Sequence, residues 1–295
     1  MAEQDIIADP AARGPLSVAV DAGGTFTDIV LVDRGSGSRW EAKVPSTPDD
    51  RSRAFAEGIA QVLGLAGRAP EEVTHVLHGT TVATNAILEQ KGARAGLLTT
   101  AGLRHVLEIG RHDIPRHENL YSWVKPRRPI PPEHVMEARE RLGADGAVVT
   151  PLEEADVREA AAEFRRLGVQ AVAVCFLHAY ANPAHERRAG AILAEELPGV
   201  PVTLSTEVLP VFREYERSMA TALNAYVMPA VAGYVRKVEE RLREGRIAAP
   251  LLLMKSSGGV IRGAGAARQP VQTALSGPAG GVVGARAVGL QAGYP

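Results

Sequence analysis

The chain has 295 residues, of which 45 % are hydrophobic and 23 % charged, with a formal net charge of −1. That length suggests one large or two ordinary domains and buries a full core without staples. The neutral balance gives no basic excess to set against a phosphate backbone, so nucleic acid is not an expected partner, and a single cysteine, Cys175, excludes an internal disulfide framework and a Cys-based zinc site.

Residues 1–15 read as a disordered leader with no basic start or apolar run, hence no signal peptide. SVAV (17–20) and IVLVD (29–33) are short apolar runs joined by the Gly-containing DAGGTFTD (21–28), a hairpin of buried strands. WEAKVPS (40–46) alternates as a third strand. Thr47-Pro48-Asp49-Asp50 starts a helix with acidic first-turn residues, and Phe55, Ile59, Val62 and Leu63 recur at helical spacing. THVLHGT (74–80) predicts a strand, TVATNAILEQ (81–90) a helix stopped by Gly92, and RAGLLTT (94–100) a further strand before a short helix ending near Gly110.

Residues 111–133 form a long loop rich in Pro, Arg and His. Beyond it, helices at 153–167 and 183–197 precede strands at 171–177 and 201–205, the alternation of an α/β sheet. A long helical region covers about 210–244, and its uncharged run at 218–235 reads as a buried helix broken near Pro229, not a membrane span. LLLMKS (251–256) is a strand, and SGPAGGVVGA (276–285) opens a last Ala/Gly-rich helix. No membrane partner is expected, and the cytoplasm is the default location. Cys175, inside AVAVCFL, reads as a buried inert thiol.

DAGGTFTD carries the strongest chemical signal. Glycines let a backbone turn with positive φ and approach a ligand closely, successive N–H groups form an anion nest, and Thr25 and Thr27 add hydroxyls. Asp21 ends a buried strand, where a carboxylate needs a partner such as hydrated Mg²⁺ on nucleotide phosphates; the bland alternative is a solvated hairpin turn. No G-x-x-x-x-G-K-S/T, G-x-G-x-x-G after a strand, or G-x-S-x-G is present. His78, Gly79, Thr80, Thr81 and Asn85 sit at a strand-to-helix junction that suits an anion or polarised carbonyl, or simply caps the helix. His112, Asp113, His117 and Glu118 are a possible metal group in a loop that reads better as solvated, and Arg111 and Arg116 are candidates for a substrate carboxylate. Arg213, Glu214, Glu216 and Arg217 read as surface or inter-domain ion pairs. Gly258 and Gly259 follow a strand, and Gly277 with Pro278 starts a helix; each is an anion cradle or a site of close packing.

The 21–28 block resembles the first phosphate motif of the actin and sugar-kinase ATPase superfamily. Together with HGTTVATNAILE (78–89), EIGR (108–111), REYERSMATALNAYVMP (213–229), KSSGGV (255–260) and SGPAGGVVGA, it looks like the hydantoinase A / 5-oxoprolinase family across 17–292. The resemblance implies an α/β fold: an RNase-H-like (actin-like ATPase) first lobe with a family-specific α/β second domain. It divides the chain into 16–200, the N-terminal domain, and 201–295, the start of the core domain. It further implies an ATP-dependent hydrolase opening a cyclic amide or imide through phosphorylation of the ring carbonyl. In that mapping Asp21 holds Mg²⁺ through water; Gly23, Gly24 and Thr25 cradle phosphates; Thr27 and Asp28 support the loop; and Gly258, Gly259 and Gly277 also face the cofactor. Asp21, Thr25 and Asp28 carry the catalytic role, and His78, Thr80, Thr81, Asn85 and Arg111 the substrate. The implied partners are a hydantoinase B-like subunit and a second ATPase lobe. No second D-x-G-G-T turn occurs in the 295 residues, so the expectation is a fragment or half of a split protein, weak in ATP binding and turnover alone. A ketone carboxylase subunit and a non-catalytic nucleotide-binding or assembly module are the alternative functions.

Overall fold

The structure, a computed structural model, describes residues 15–47, 49–111, 114–115, 117–119 and 121–294. All but the last residue of the expected leader, and also Pro48, His112, Asp113 and Arg116, lie outside the described residues. In chain order the elements are β1 (Leu16–Ala22), β2 (Phe26–Asp33), β3 (Arg39–Pro45), α1 (Arg51–Ala66), β4 (Val73–Thr80), α2 (Val82–Leu88), β5 (Ala95–Thr100) and α3 (Val106–Ile109). There follow β6 (Val135–Ala138), β7 (Arg141–Leu142), β8 (Val148–Thr150), α4 (Glu154–Leu167), β9 (Ala171–Cys175), α5 (Ala184–Glu196), β10 (Val202–Leu204) and α6 (Ser205–Val208). The last are α7 (Glu214–Glu244), β11 (Leu251–Met254), β12 (Val260–Arg262), α8 (Gly263–Arg268) and α9 (Ser276–Gln291). Among the described residues no helix is long and apolar enough to cross a membrane.

The chain forms two compact units: residues up to Asn85 together with Val231 onward, and Ala86–Ala230. This interleaved division differs from a sequence boundary at 200/201. That boundary falls inside the second unit because β10 pairs in parallel with β9 of the same sheet.

The first unit holds a six-stranded sheet in the order β12-β11-β4-β1-β2-β3. Strands β1, β2 and β3 form the expected antiparallel meander, whereas β1, β4 and β11 run parallel. Alternation fixes the faces: Leu16, Val18, Val20 and Ala22 of β1 are buried, and the residues between them are not. Helix α1 covers the buried face with Phe55, Ile59, Val62 and Leu63. Its start corrects the expected acidic first turn: Asp50 is the N-cap, accepting from the Ser52 N–H at 3.3 Å.

The second unit is built on a parallel sheet, β10-β9-β5-β6. A parallel sheet covered on both faces needs unbroken apolar strands, and β9 is buried throughout. Val172 and Val174 pack with Leu98, Phe164, Ile192 and Leu193 on one face. Ala171, Ala173 and Cys175 pack with Leu107, Ile130, Ala222 and Ala225 on the other. Burial pushes the Cys175 thiol up to about 11, as an inert core cysteine requires.

Several local expectations are corrected. Helix α2 ends at Leu88, with Gln90 at φ 54°, so Gly92 does not stop it. Helix α7 starts at Glu214 and continues through Pro229 unbroken, because tertiary packing on both sides of the proline outweighs one lost hydrogen bond. Strands β6, β7, β8 and β12 and helix α8 occupy stretches where the sequence pattern predicts no element. Arg217 is not a surface ion-pair residue: it is fully buried.

Candidate functional site

Three parallel strands bring their carboxyl ends to one edge of the first unit's sheet, the edge at which α/β sheets place ligands. These ends are Asp21-Ala22 of β1, Gly79-Thr80 of β4 and Met254 of β11, and Asp21 pairs in register with Gly79 on one side and Asp28 on the other. Asp21 corrects the expectation of a buried strand end, since it lies on the exposed face. Its carboxylate lies over Gly79, where an added Cβ would stand 3.1 Å from Asp21 Oδ1. Partial burial and then the Asp28 charge push the Asp21 carboxyl up. Lys43 neutralises Asp28 at 2.8 Å, while no cation of the described residues pairs with Asp21. A carboxylate so placed suits a hydrated divalent cation.

The two glycines of the hairpin turn play different parts. Neither has positive φ, contrary to expectation. The Gly23 N–H donates to Phe26 O at 3.1 Å, and a Cβ on Gly23 would meet that oxygen at 2.9 Å. Gly23 is therefore spent on closing the turn. At Gly24 a Cβ would meet nothing within 4 Å, so this backbone faces open space. Thr25 is exposed, whereas Thr27 is buried with its hydroxyl 3.0 Å from Ser46 Oγ. Thr27 thus braces the turn from inside, and Ser46 Oγ donates to Gly23 O at 2.9 Å.

The junction after β4 is capped by its own threonines. Thr80 Oγ1 accepts the Val82 N–H at 3.3 Å, and Thr81 Oγ1 accepts from Asn85 Nδ2 at 3.3 Å and Arg51 Nη1 at 3.4 Å. The start of α9 is fastened to the same place. Ser276 Oγ donates to Thr80 O at 3.1 Å, and the Leu275 N–H donates to Thr84 Oγ1 at 2.9 Å. Leu275 adopts φ 62°, a conformation unusual for a bulky residue. A Cβ on Gly277, two residues on, would meet nothing within 4 Å. Gly258, at φ 85°, needs its glycine for the β11–β12 turn, and Gly259 follows it there. Sequence reasoning passed over Ser276 and Thr84, which fasten α9 to this junction; the signal was present in the hydroxyls flanking SGPAGG and HGTT.

His78 is corrected from substrate candidate to core residue. It is 1 % exposed and packs edge-on to Phe55. Nδ1 lies 3.0 Å from Val20 O and Nε2 lies 2.7 Å from the Tyr234 hydroxyl. A carbonyl only accepts, so Nδ1 carries the proton and Nε2 accepts from Tyr234. Burial lowers the imidazole to about 4, leaving it neutral near pH 7. Arg111 belongs to the second unit, where its Nε donates to Glu216 Oε1 at 2.8 Å. Among the described residues no three His, Cys, Asp or Glu side chains group to hold a metal; His112 and Asp113 lie outside them, and His117 faces Glu118 at 3.8 Å.

The chain is similar in sequence and in fold to known proteins. Residues 17–197 match the hydantoinase/oxoprolinase N-terminal region and residues 217–295 match the hydantoinase/oxoprolinase family. The chain is 36 % identical over 276 residues to caprolactamase subunit alpha of Pseudomonas jessenii, covering 89 % of this chain and 38 % of that one. The crystal structure of the ATP-dependent caprolactamase superposes with a TM-score of 0.80 at 35 % identity, covering 89 % of this chain and 39 % of that one. The nucleotide-free structure of acetone carboxylase, from work on ATP-dependent acetone carboxylation, gives a TM-score of 0.85 at 26 % identity, covering 95 % of this chain and 41 % of that one. The 5-oxoprolinase of Saccharomyces cerevisiae is 30 % identical over 312 residues, covering 92 % of this chain and 24 % of that one. The chain therefore spans about two fifths or less of the length of these relatives. By sequence over nearly its whole length, and by its mixed α/β fold, it belongs to the hydantoinase/oxoprolinase family.

Proposed function

We propose that this chain carries the first phosphate-binding lobe of an ATP-dependent enzyme that opens a cyclic amide or imide. The observation that carries the reading is Asp21, a carboxylate with no ion-pair partner among the described residues, at the convergent carboxyl ends of β1, β4 and β11, beside an unobstructed Gly24 backbone. The strand order β3-β2-β1-β4-β11, with only β2 antiparallel to its neighbours, supports an RNase-H-like lobe. The residues fit Mg–ATP. Asp21 holds the hydrated metal; the backbone of Gly24 and Thr25 and the Thr25 hydroxyl receive phosphate oxygens; and Gly258, Gly259 and Gly277 supply close backbone approach. Thr27 and Asp28 hold the turn in shape, and Thr80, Thr81 and Asn85 form its neighbouring wall. Bound Mg–ATP would supply the phosphoryl group that activates the ring carbonyl; the protein's part is positioning and charge neutralisation. Matches at 17–197 and 217–295 support reading 16–200 as an N-terminal domain and 201–295 as part of a core domain. A hydantoinase B-like second subunit is the proposed partner, supported by the subunit naming of the caprolactamase relative, and the cytoplasm the proposed location.

Calorimetric titration of the chain with Mg–ATP tests the site. Binding at or below about 1 mM, lost in Asp21→Asn with the fold intact by circular dichroism, is the expected outcome. No binding, or equal binding by the variant, overturns it. The similarity to acetone carboxylase favours a second reading, a ketone carboxylase subunit. ATP consumption by the assembled enzyme that requires bicarbonate would select that reading over hydrolysis.

A further inference from the structure

The second unit contains a cavity of about 680 Å³ that the function proposed above does not use. It is lined by Arg94 at the entry to β5, by Arg127, Arg128, Glu133 and His134 ahead of β6, and by Tyr226 of α7. The lining thus holds three guanidinium groups and one carboxylate, and of the three only Arg128 has an ion-pair partner among the described residues, Glu108. Arg94 Nη1 donates to a carbonyl, Leu167 O, at 2.9 Å. Arg128 Nε stands 4.0 Å from Glu108 Oε1, a loose pair. Arg127 has no hydrogen-bond or ion-pair partner among the described residues, and Glu133 pairs with none of the three arginines. Uncompensated positive charge in a concave site concentrates small anions.

The remaining wall adds selectivity. The Tyr226 backbone carbonyl accepts the Ala93 N–H at 2.8 Å, and its ring packs against Gly92, where an added Cβ would lie 2.1 Å from Cε1. Ile87 and Leu223 contribute apolar surface beside it. Guanidinium forks match carboxylates in paired hydrogen bonds, and a rigid aromatic wall suits a short carbon skeleton. The volume is that of a small-molecule site, not of a polymer groove. We propose that this cavity binds a small organic di- or tricarboxylate, with Arg94 and Arg127 as its principal anion contacts. The assignment stands apart from the ATP site, whose residues lie in the other unit.

Succinate, glutarate and citrate are the probes, titrated calorimetrically into the chain without nucleotide. Saturable binding of at least one probe below about 10 mM is expected. It should weaken about tenfold or more in Arg127→Gln and in Arg94→Gln, as loss of a charge-assisted contact requires. It should also weaken with added salt and stay unchanged in Asp21→Asn, which separates this outcome from that at the ATP site. Arg94 also ties down Leu167 O, so Arg127→Gln, whose side chain has no partner among the described residues, is the variant that carries the test should Arg94→Gln fail to fold. As a second measurement on the wild type, the bound probe should slow phenylglyoxal modification of Arg127 but not of exposed Arg39. No binding by any probe, or equal binding in Arg127→Gln, overturns the proposal.

Discussion

Gly23 and Gly24 are neighbours in different surroundings: Gly23 closes the turn, whereas Gly24 faces open space. A Cβ on Gly23 would stand 2.9 Å from the backbone oxygen of Phe26, which cannot move without opening the hairpin. Gly23→Ala should therefore lower stability by about 1–3 kcal/mol. Gly24→Ala meets no atom and should leave the melting temperature unchanged within error while weakening Mg–ATP binding. Thermal melts and calorimetry on the two variants check both outcomes; a destabilised Gly24→Ala would assign that glycine to the fold. His78 yields a pH prediction. Its folded value, lowered by burial to about 4, lies below its ordinary 6.5. Between these values the unfolded chain binds the extra proton, so stability is fullest above about pH 6.5 and falls as the pH drops toward 4, by about 3 kcal/mol in total. Urea unfolding at pH 7 and pH 5 should show about 2 kcal/mol of this loss, and His78→Gln should remove it while lowering stability at pH 7.

At the scale of elements, Arg217 ties four pieces of the second unit together. Its Nη2 donates to Phe176 O after β9 at 2.7 Å, and its Nη1 to Ser205 Oγ at the start of α6 at 3.1 Å. Nη1 also lies 3.9 Å from Glu186 of α5, whose carboxylate accepts the N–H groups of Phe176 at 2.9 Å and Thr206 at 3.0 Å. Burial pushes the Glu186 carboxyl up, with these hydrogen bonds and Arg217 opposing. Arg217→Met strands that carboxylate and should cost about 3–5 kcal/mol, part of which Glu186→Leu in the same chain should restore; urea denaturation of the single and double variants measures it. Pro229 in α7 predicts the opposite sign. Pro229→Ala restores a missing N–H donor in the helix interior and should raise the melting temperature by a few degrees, read by scanning calorimetry. The sequence showed β1 to β4 and α1 because their apolar positions repeat at periods of two and 3.6. It did not show β6, β7, β8 and β12, which are two to four residues long, too short for a period to register; β6 also depends on a partner distant in the chain, β5, whereas β7 with β8 and β11 with β12 are local antiparallel pairs. Pro229 misled for a related reason: propensity is local, whereas the packing that holds α7 through it is not.

At the scale of the molecule, α9 stands out as apolar yet uncovered. Val282, Val288 and Leu290 are 70 %, 66 % and 50 % exposed. Helices apolar on all sides are normally buried. The 295-residue chain should therefore bind the hydrophobic dye ANS and self-associate with rising concentration, and Val282→Glu with Val288→Glu should reduce both, as followed by fluorescence and sedimentation. Residue chemistry and order were legible throughout: the D-x-G-G-T turn, the junction threonines and the family of the chain all follow from contiguous blocks, because backbone turns and helix caps are made by neighbours in sequence. Tertiary structure alone decided which of those residues are exposed. It buried His78 behind Phe55 and Tyr234, turned Thr27 inward to Ser46, and left Asp21 over Gly79 with no basic side chain of the described residues paired to it. It also gathered Arg94, Arg127 and Tyr226 around one cavity. Exposure and charge pairing depend on which strands and helices meet, and those meetings are set by packing between segments far apart in the chain.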